Sequence, residues 1–489
     1  MAWAGQGPGG GLLGQLRHEH VVAVLFVAGT FVSILDSTVV TTALPAIARQ
    51  FDRPVTAADW VIIGYLLSLA VVMPASGYLG DRFGTKRVFL GGLALFVVTS
   101  GLCGLAGSLG QLIVLRVVQG AGGGLLTPVG QAMLFRAFPP ERRARASAVL
   151  MVPTVLAPAI GPILGGGLVV ALSWRWIFFI NLPIGTLALL FGLALLREHR
   201  QARSERFDLP GFLLALVGFV LLLYSVSEGP VVGWGAPPIW GAAVLAAVAL
   251  TFFVRTERRT ARPMLSLRLL ENHLFGRSMI VNALGGAGFG AILFLVPQFL
   301  QDARGVSAFS SGLTTFPEAV GVLLSSRLVA RLYPRVGPRR LMAGGLGAVC
   351  LAMLALTRVD IGSTAWLVRL LMFLIGVGMA YQILPLQAAA MAQIGGAEMG
   401  HASALYASVR QTAWAIGVAV TGTVVTAMSG PAGAVLAPAR LVVPYHAAFV
   451  VAAVMAALAA LGALSIRDAD AAATMVGRRS LTQGVEAGA

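Results

Sequence analysis

Asp36 lies in the apolar run Phe31-Val32-Ser33-Ile34-Leu35-Asp36-Ser37-Thr38-Val39-Val40, with no basic residue close to it in sequence. A carboxylate in such a run can take a proton from one side and release it when water or an opposite charge arrives, which is the chemistry of proton coupling. A static ion pair with a spanning arginine would place an aspartate there equally well. Arg116, in Leu112-Ile113-Val114-Leu115-Arg116-Val117-Val118-Gln119-Gly120, is the natural counter-charge. It could tune Asp36, or it could bond helix carbonyls or snorkel to the interface.

Glu318, in Thr314-Thr315-Phe316-Pro317-Glu318-Ala319-Val320, is the other carboxylate well inside an apolar run. It could hold a cationic ligand or a second proton; alternatively it pairs with Arg327 or faces an outer water layer. Tyr65, Asn282 and Tyr381 are candidate ligand-binding residues, with Trp60 and Trp414 as further aromatic faces for flat cations. Interhelical bonding or interfacial anchoring explains such residues as readily. No Gly-x-x-x-x-Gly-Lys-Ser/Thr loop is present, which argues against ATP hydrolysis. The six histidines have no metal-ligand spacing, no Ser/His/Asp set stands out, and Cys103 and Cys350 read as small core residues. A device driven by an ion gradient remains: no enzyme, no metal and no cofactor are expected, with the proton gradient as driver.

The elements that must position these residues are membrane helices. The 489 residues are 57% hydrophobic and 11% charged, where soluble chains carry about 25% charge, and the mean hydropathy is +0.86. Runs of roughly 17–25 apolar residues suit a bilayer. They fall at 21–45, 59–80, 88–108, 111–135, 146–170, 175–196, 209–228, 238–254, 278–300, 309–331, 341–357, 364–390, 402–428 and 446–466, which predicts an all-α protein of fourteen spans. The net charge of +16 lies in loops, so it speaks for topology and against a nucleic-acid partner. With a cytosolic start, Arg49, Arg53, Arg175, Arg304, Arg358 and Arg440 fall outside and Arg116, Arg327, Arg369 and Arg410 within spans; the remaining basic residues are cytosolic. Both termini are then expected in the cytosol, and the run from Val21 stays as a span because no cleavage site follows it.

The spans group as six, two and six. The expected parts are a cytosolic segment 1–20, a bundle 21–196, an added pair 209–254, a cytosolic linker 255–277, a second bundle 278–466 and a tail 467–489, with a further Arg-rich connector from Arg197 to Asp208. The turn Asp81-Arg82-Phe83-Gly84-Thr85-Lys86-Arg87 repeats as Pro334-Arg335-Val336-Gly337-Pro338-Arg339-Arg340, each after the second span of its group of six. Two related halves with a ligand held between them are the expectation for such a repeat.

These residues resemble those of the drug:proton antiporters of the major facilitator superfamily, in particular its fourteen-helix branch, over essentially the whole chain. Leu35-Asp36-Ser37-Thr38-Val39-Val40-Thr41-Thr42-Ala43-Leu44-Pro45 resembles the first-helix signature, with Thr41 where Asn is usual. The run from Gly77 through Gly80, Asp81, Arg82, Gly84, Lys86 and Arg87 resembles the loop that latches the cytosolic side. Asp81 would face the positive end of a later helix, the one starting near His401. The segment from Arg116 to Gly120 resembles the fourth-helix signature, whose arginine is implicated in proton coupling. Gly161, Pro162, Gly165 and Gly166 resemble the fifth-helix signature of antiporters, although Ala157 replaces a usual glycine. The stretches 174–185 and 208–211 resemble hallmarks of the fourteen-helix exporters.

The resemblance implies a multi-pass bacterial inner-membrane protein that exports apolar or cationic drug-like compounds by alternating access in exchange for protons. Its partners would be a small-molecule substrate, protons and the lipid bilayer, and a monomer is expected. A dedicated exporter of one endogenous metabolite, lipid or antibiotic is the alternative, and a membrane sensor or scaffold that moves nothing is the second.

Overall fold

A computed structural model describes residues 18–53, 55–138, 142–199, 208–260, 263, 265–429 and 438–475. The expected segment 1–20, the Arg197 to Asp208 connector, the linker 255–277 and the tail 467–489 therefore lie partly outside the described residues.

The chain enters as α1 (His18–Gln50), and a short α2 (Val55–Ala58) leads into the second pass. That pass is α3 (Trp60–Val72), a 3-10 turn over Met73–Ala75, and α4 (Ser76–Phe83). Next come α5 (Thr85–Gly104), α6 (Leu109–Ala137) and α7 (Arg143–Ala171), then a sixth pass built from α8 (Trp176–Phe179) and α9 (Asn181–Leu195). The added pair is α10 (Leu209–Val232) and α11 (Pro237–Arg259). The last group begins with α12 (His273–Gln298), which a π turn extends over Phe299–Ala303. It continues with α13 (Ala308–Thr315), α14 (Pro317–Val336), α15 (Pro338–Leu356), α16 (Ala365–Ala390), α17 (Met399–Ser429) and α18 (Pro438–Leu464). No strand occurs among the described residues.

Local chemistry sets the starts. Ser108, Asp208, Asn272 and Ser307 each accept a hydrogen bond from a backbone N–H of the first turn of α6, α10, α12 and α13, which satisfies donors that a helix leaves free. Proline opens α11, α14 and α15, where its missing N–H costs nothing.

Among the described residues twelve passes are long and apolar enough to cross a membrane, thirteen when the bent α7 is taken as one. The apolar runs predict fourteen, and the shortfall is the span at 309–331. That stretch is helical but broken at Phe316 between α13 and α14, and α14 carries Glu318, Arg327, Arg331 and Arg335. Large apolar side chains such as Val170, Leu187, Leu351 and Trp366 are exposed around the molecule; lipid, not water, is the medium that would cover so much apolar surface.

The packing repeats between halves. In the first, α1 lies on α7, α3 and α5 lie on α6, and α9 lies on α5 and α1; in the second, α12 lies on α17, α14 and α15 on α16, and α18 on α15 and α12. Helices α6, α7, α4 and α17, with α14 and α16, join the two halves, and α10 seats the added pair against α3 and α17. The repeated turns agree in detail. Gly84 and Gly337 have φ of 96° and 88°, a region open to glycine and strained for other residues. An acid from the end of each half caps the helix that follows: Lys86 N donates to Glu198 Oε1 at 3.0 Å, and Arg339 N donates to Asp468 Oδ1 at 3.0 Å.

Candidate functional site

Asp36 and Arg116 meet inside the first half, with neither side chain exposed. Arg116 Nη1 donates to Asp36 Oδ2 and also to Gln119 Oε1 at 2.8 Å, while its Nε donates to Val61 O at 3.1 Å. The other carboxylate oxygen, Oδ1, accepts from Asn181 Nδ2 at 2.7 Å and Gln119 Nε2 at 3.3 Å. The guanidinium stacks on the Tyr65 ring at 4.1 Å, and Tyr65 in turn donates to Ser33 O at 3.0 Å. Four passes thus build one cluster: Asp36 from α1, Tyr65 from α3, Arg116 and Gln119 from α6, and Asn181 from the start of α9.

A buried ion pair persists only when hydrogen bonds replace most of the lost hydration, and here the carboxylate has three donors. Two atoms stay unpartnered, Arg116 Nη2 and Asn181 Oδ1. Of the readings open from the sequence, the one made in this conformation is the ion pair. Sequence reasoning does not reach Gln119 and Asn181 as members of the cluster. The spacing of Arg116 and Gln119, i to i+3 on one helix face, is the available signal for the first; nothing local marks the second.

A cavity of about 200 Å³ lies between the halves. Ser33, Ser37 and Thr38 of α1 line it on one side, and Asn282, Gln382, Tyr406, Arg410, Gln411 and the stacked pair Phe289 and Trp414 on the other. The two rings lie 5.1 Å apart at 14°. A second cavity of about 500 Å³ adjoins it, sharing Thr38, Pro158, Phe289 and Leu293, and Glu318 lines this one. Among the described residues no hydrogen bond or ion pair holds the Glu318 carboxyl. Arg327, its possible partner, is exposed on the far side of α14.

Of the candidate ligand residues, Asn282 lines the first cavity and Glu318 the second. Tyr65 and Tyr381 line neither of these two cavities. Tyr65 is fully buried under Arg116, and Tyr381 packs where α16 crosses α15, its Cβ close to Gly345. Asp36 lines neither of these two cavities, although Ser33, one turn before it on α1, lines the central one and its hydroxyl lies 2.8 Å from that of Tyr65.

One end of the molecule is shut by the glycine and acid loop. Asp81 pairs with Arg136 at 2.9 Å and lies 3.7 Å from His401 Nε2. It sits at the N-terminus of α17, where helix dipoles attract anions. A Cβ on Gly77 would lie 2.9 Å from the Gly400 backbone, so glycine is what lets α4 and α17 touch. Arg136 also bonds Gly396 O, and Arg143 bonds Met391 O, closing the same end. A Cβ on Gly80 would lie 3.4 Å from Thr85 Cγ2, Arg82 donates to Tyr78 Oη at 2.8 Å, and Lys86 Nζ donates to Leu193 O at 3.0 Å, while Arg87 lies 3.7 Å from Glu198.

The fifth-helix motif divides by face. Cβ atoms on Gly161 and Gly165 would each collide with a threonine Oγ1 of α1, those of Thr38 and Thr42, whereas Gly166 meets nothing within 4 Å. Helix α7 turns by 40° between Ala146–Pro158 and Ile163–Ala171; the side chain of Pro162 in that turn lies outside the described residues.

Residues 26–418 match the family described as the Major Facilitator Superfamily. The chain belongs to that superfamily. Over 402 residues the transporter is 34% identical to the multidrug resistance protein B homolog of Mycobacterium tuberculosis, covering 80% of this chain and 73% of that one. It is 32% identical over 397 residues to a Serratia proteamaculans protein named as the multidrug resistance protein MdtD, covering 81% and 83%. The crystal structure of the human organic anion transporter MFSD10 (TETRAN) matches with a TM-score of 0.64 over 90% of this chain and 100% of that chain, at 19% identity, a likeness of fold. The transporter is thus a multi-pass membrane protein of this superfamily and not an enzyme. Its central cavity lies between the repeated halves.

Proposed function

We propose that this transporter exports drug-like compounds from the bacterial cytosol across the inner membrane in exchange for protons, with both termini and the Asp81 end on the cytosolic side. The observation that carries the reading is that α1 holds Asp36 against Arg116 and, within one turn of it, presents Ser33, Ser37 and Thr38 to the central cavity, with the Ser33 and Tyr65 hydroxyls 2.8 Å apart. A compound that presses on the cavity face shifts α1, and any shift of α1 changes how well the buried pair is held. Protonation of Asp36 removes the charge that Arg116 faces, and the guanidinium keeps Gln119, Val61 and the Tyr65 ring. Substrate and proton then favour different arrangements of one helix, which is sufficient for their fluxes to couple.

Proton and substrate need not meet at one atom in this scheme, because Asp36 lines neither of the two cavities described. Apolar compounds suit the aromatic and aliphatic lining, and Glu318 gives the outer cavity a place for a cation or a second proton. The multidrug names of the bacterial relatives support substrates of this breadth.

The test is dye export from proteoliposomes under an imposed pH gradient, with wild-type, Asp36→Asn and Glu318→Gln protein. Gradient-driven export should vanish in Asp36→Asn although the protein inserts normally. Undiminished proton release on adding substrate to that variant would sink the reading. Loss with Glu318→Gln as well assigns both carboxyls to the cycle.

A further inference from the structure

The central cavity holds one charged side chain, and it is positive. Arg410 of α17 lines it, with no aspartate, glutamate or lysine among the other lining residues. Among the described residues no hydrogen bond or ion pair engages its guanidinium. The contrast with Arg116 is direct: that arginine is spent on Asp36, Gln119 and Val61. An arginine at membrane depth without a partner is costly, and such residues mark substrate paths.

Around it stand neutral groups fitted to one kind of ligand. The stacked rings of Phe289 and Trp414 offer a flat apolar face, and Asn282, Gln382 and Gln411 offer amides. A cationic group placed here would meet a like charge, and the nearest lining carboxyl, Glu318, belongs to the adjoining cavity. A planar guanidinium pairs in two-pronged fashion with carboxylate, sulfonate or phosphate oxygens.

From this geometry we infer that the central cavity takes amphipathic anions, compounds with an aromatic or apolar body against Phe289 and Trp414 and an acidic group on Arg410. The inference rests on the export reading above for its biological sense, and it replaces the cationic preference expected from sequence at this cavity. A soluble organic acid and an acidic lipid headgroup share the chemistry, so the test separates them.

Binding of three matched probes to the full-length protein in neutral detergent reads the preference directly: 2-naphthoate, its uncharged amide 2-naphthamide, and the quaternary ammonium (2-naphthylmethyl)trimethylammonium. Wild-type protein should bind naphthoate at least tenfold more tightly than the amide, and the cation least. The ratio of naphthoate to amide affinity should collapse to near one in Arg410→Gln and stay well above one in Arg410→Lys, with helical content checked by circular dichroism. Equal binding of acid and amide by wild-type protein, or a ratio unmoved by Arg410→Gln, overturns the inference. Phosphatidylglycerol that displaces naphthoate assigns the site to a lipid headgroup; no displacement assigns it to a soluble acid. Because these are equilibrium measurements, they stand apart from the transport test. Export of uncharged dyes without an acid preference would defeat this inference alone, and an acid preference without gradient-driven export would defeat the coupling reading alone.

Discussion

At the scale of residues, the Asp36 and Arg116 pair is an ion pair buried within the first half. Both side chains are withdrawn from water, so each charge depends on the other. Removing one partner leaves the second charged and buried, which costs about 3–5 kcal/mol in comparable pairs. Arg116→Gln should therefore lower the unfolding midpoint in detergent sharply, and adding Asp36→Asn to it should restore most of the loss. A double variant no more stable than Arg116→Gln alone would mean that the pair is not coupled. The two charges stand out in the sequence because an ionisable residue in an apolar run is costly to insert and is kept there by a partner or a task. Gln119 and Asn181 do not stand out, since uncharged polar residues are common in membrane helices and their register against Asp36 is a tertiary fact. Tyr65 is legible as an aromatic near the site, yet its place under Arg116 and not in the cavity depends on the way α3 lies on α6. Arg410 is visible in sequence only as a charge within a span; that none of the described residues pairs with it follows from how its neighbours are placed.

Between elements, contact of α1 with α7 is where glycine spacing becomes mechanism. Gly161 and Gly165 are four residues apart and so share a face, and that face meets Thr38 and Thr42. Gly165→Ala should press on the Thr42 hydroxyl and the Val39 carbonyl, cost about 1–3 kcal/mol by overpacking, and slow export. Gly166→Ala meets open space and should be neutral or slightly stabilising, by up to about 1 kcal/mol, since alanine is the better helix former. Thermal unfolding and initial rates of dye export compare the two, and equal effects would show that the face division has no functional weight. The motif is legible in sequence as a block; which glycines touch α1 is not, because that depends on the turn in α7. The repeated turns carry a second test. Glu198→Gln and Asp468→Asn each weaken a helix cap in equivalent places, and each should lower stability by about 1 kcal/mol. Those two acids escape a comparison of the repeats because they lie far along the chain from the turns they cap. The tenth pass shows the opposite limit: apolarity alone suggests a span at 309–331, but the charges of α14 and the break at Phe316 make it unlike the others.

Across the whole molecule, alternating access requires that the closed end be held weakly enough to open. The bonds that close it include Asp81 with Arg136 and the start of α17, Arg136 with Gly396, and Arg143 with Met391 and Ile394. The resemblance to the family's latch loop points to Asp81, and the helix dipole adds a helix beginning near His401 as the end it would face. Neither points to Arg136 or to the carbonyls near 391–396, which reach this end only through the packing of α6 and α7 against α16 and α17. A hydrogen bond between charged groups contributes about 1.5–3 kcal/mol, so losing the Asp81 contact should raise the open fraction by roughly ten-fold to a hundred-fold. Ser76 is buried beside Asp81 and Gly400 and is covered when the end is shut. In a Cys350→Ala background with Cys103 left buried, a Ser76→Cys reporter should react slowly with a membrane-impermeant maleimide in inside-out vesicles. Adding Asp81→Ala, or Gly77→Val, whose side chain would strike the Gly400 backbone, should speed that reaction by at least ten-fold. Fast reaction in right-side-out cells instead would place the Asp81 end outside and invert the proposed topology. Unchanged labelling in both variants would mean that this end is held shut by apolar packing between α4 and α17, and that its charges and glycines do not govern the opening.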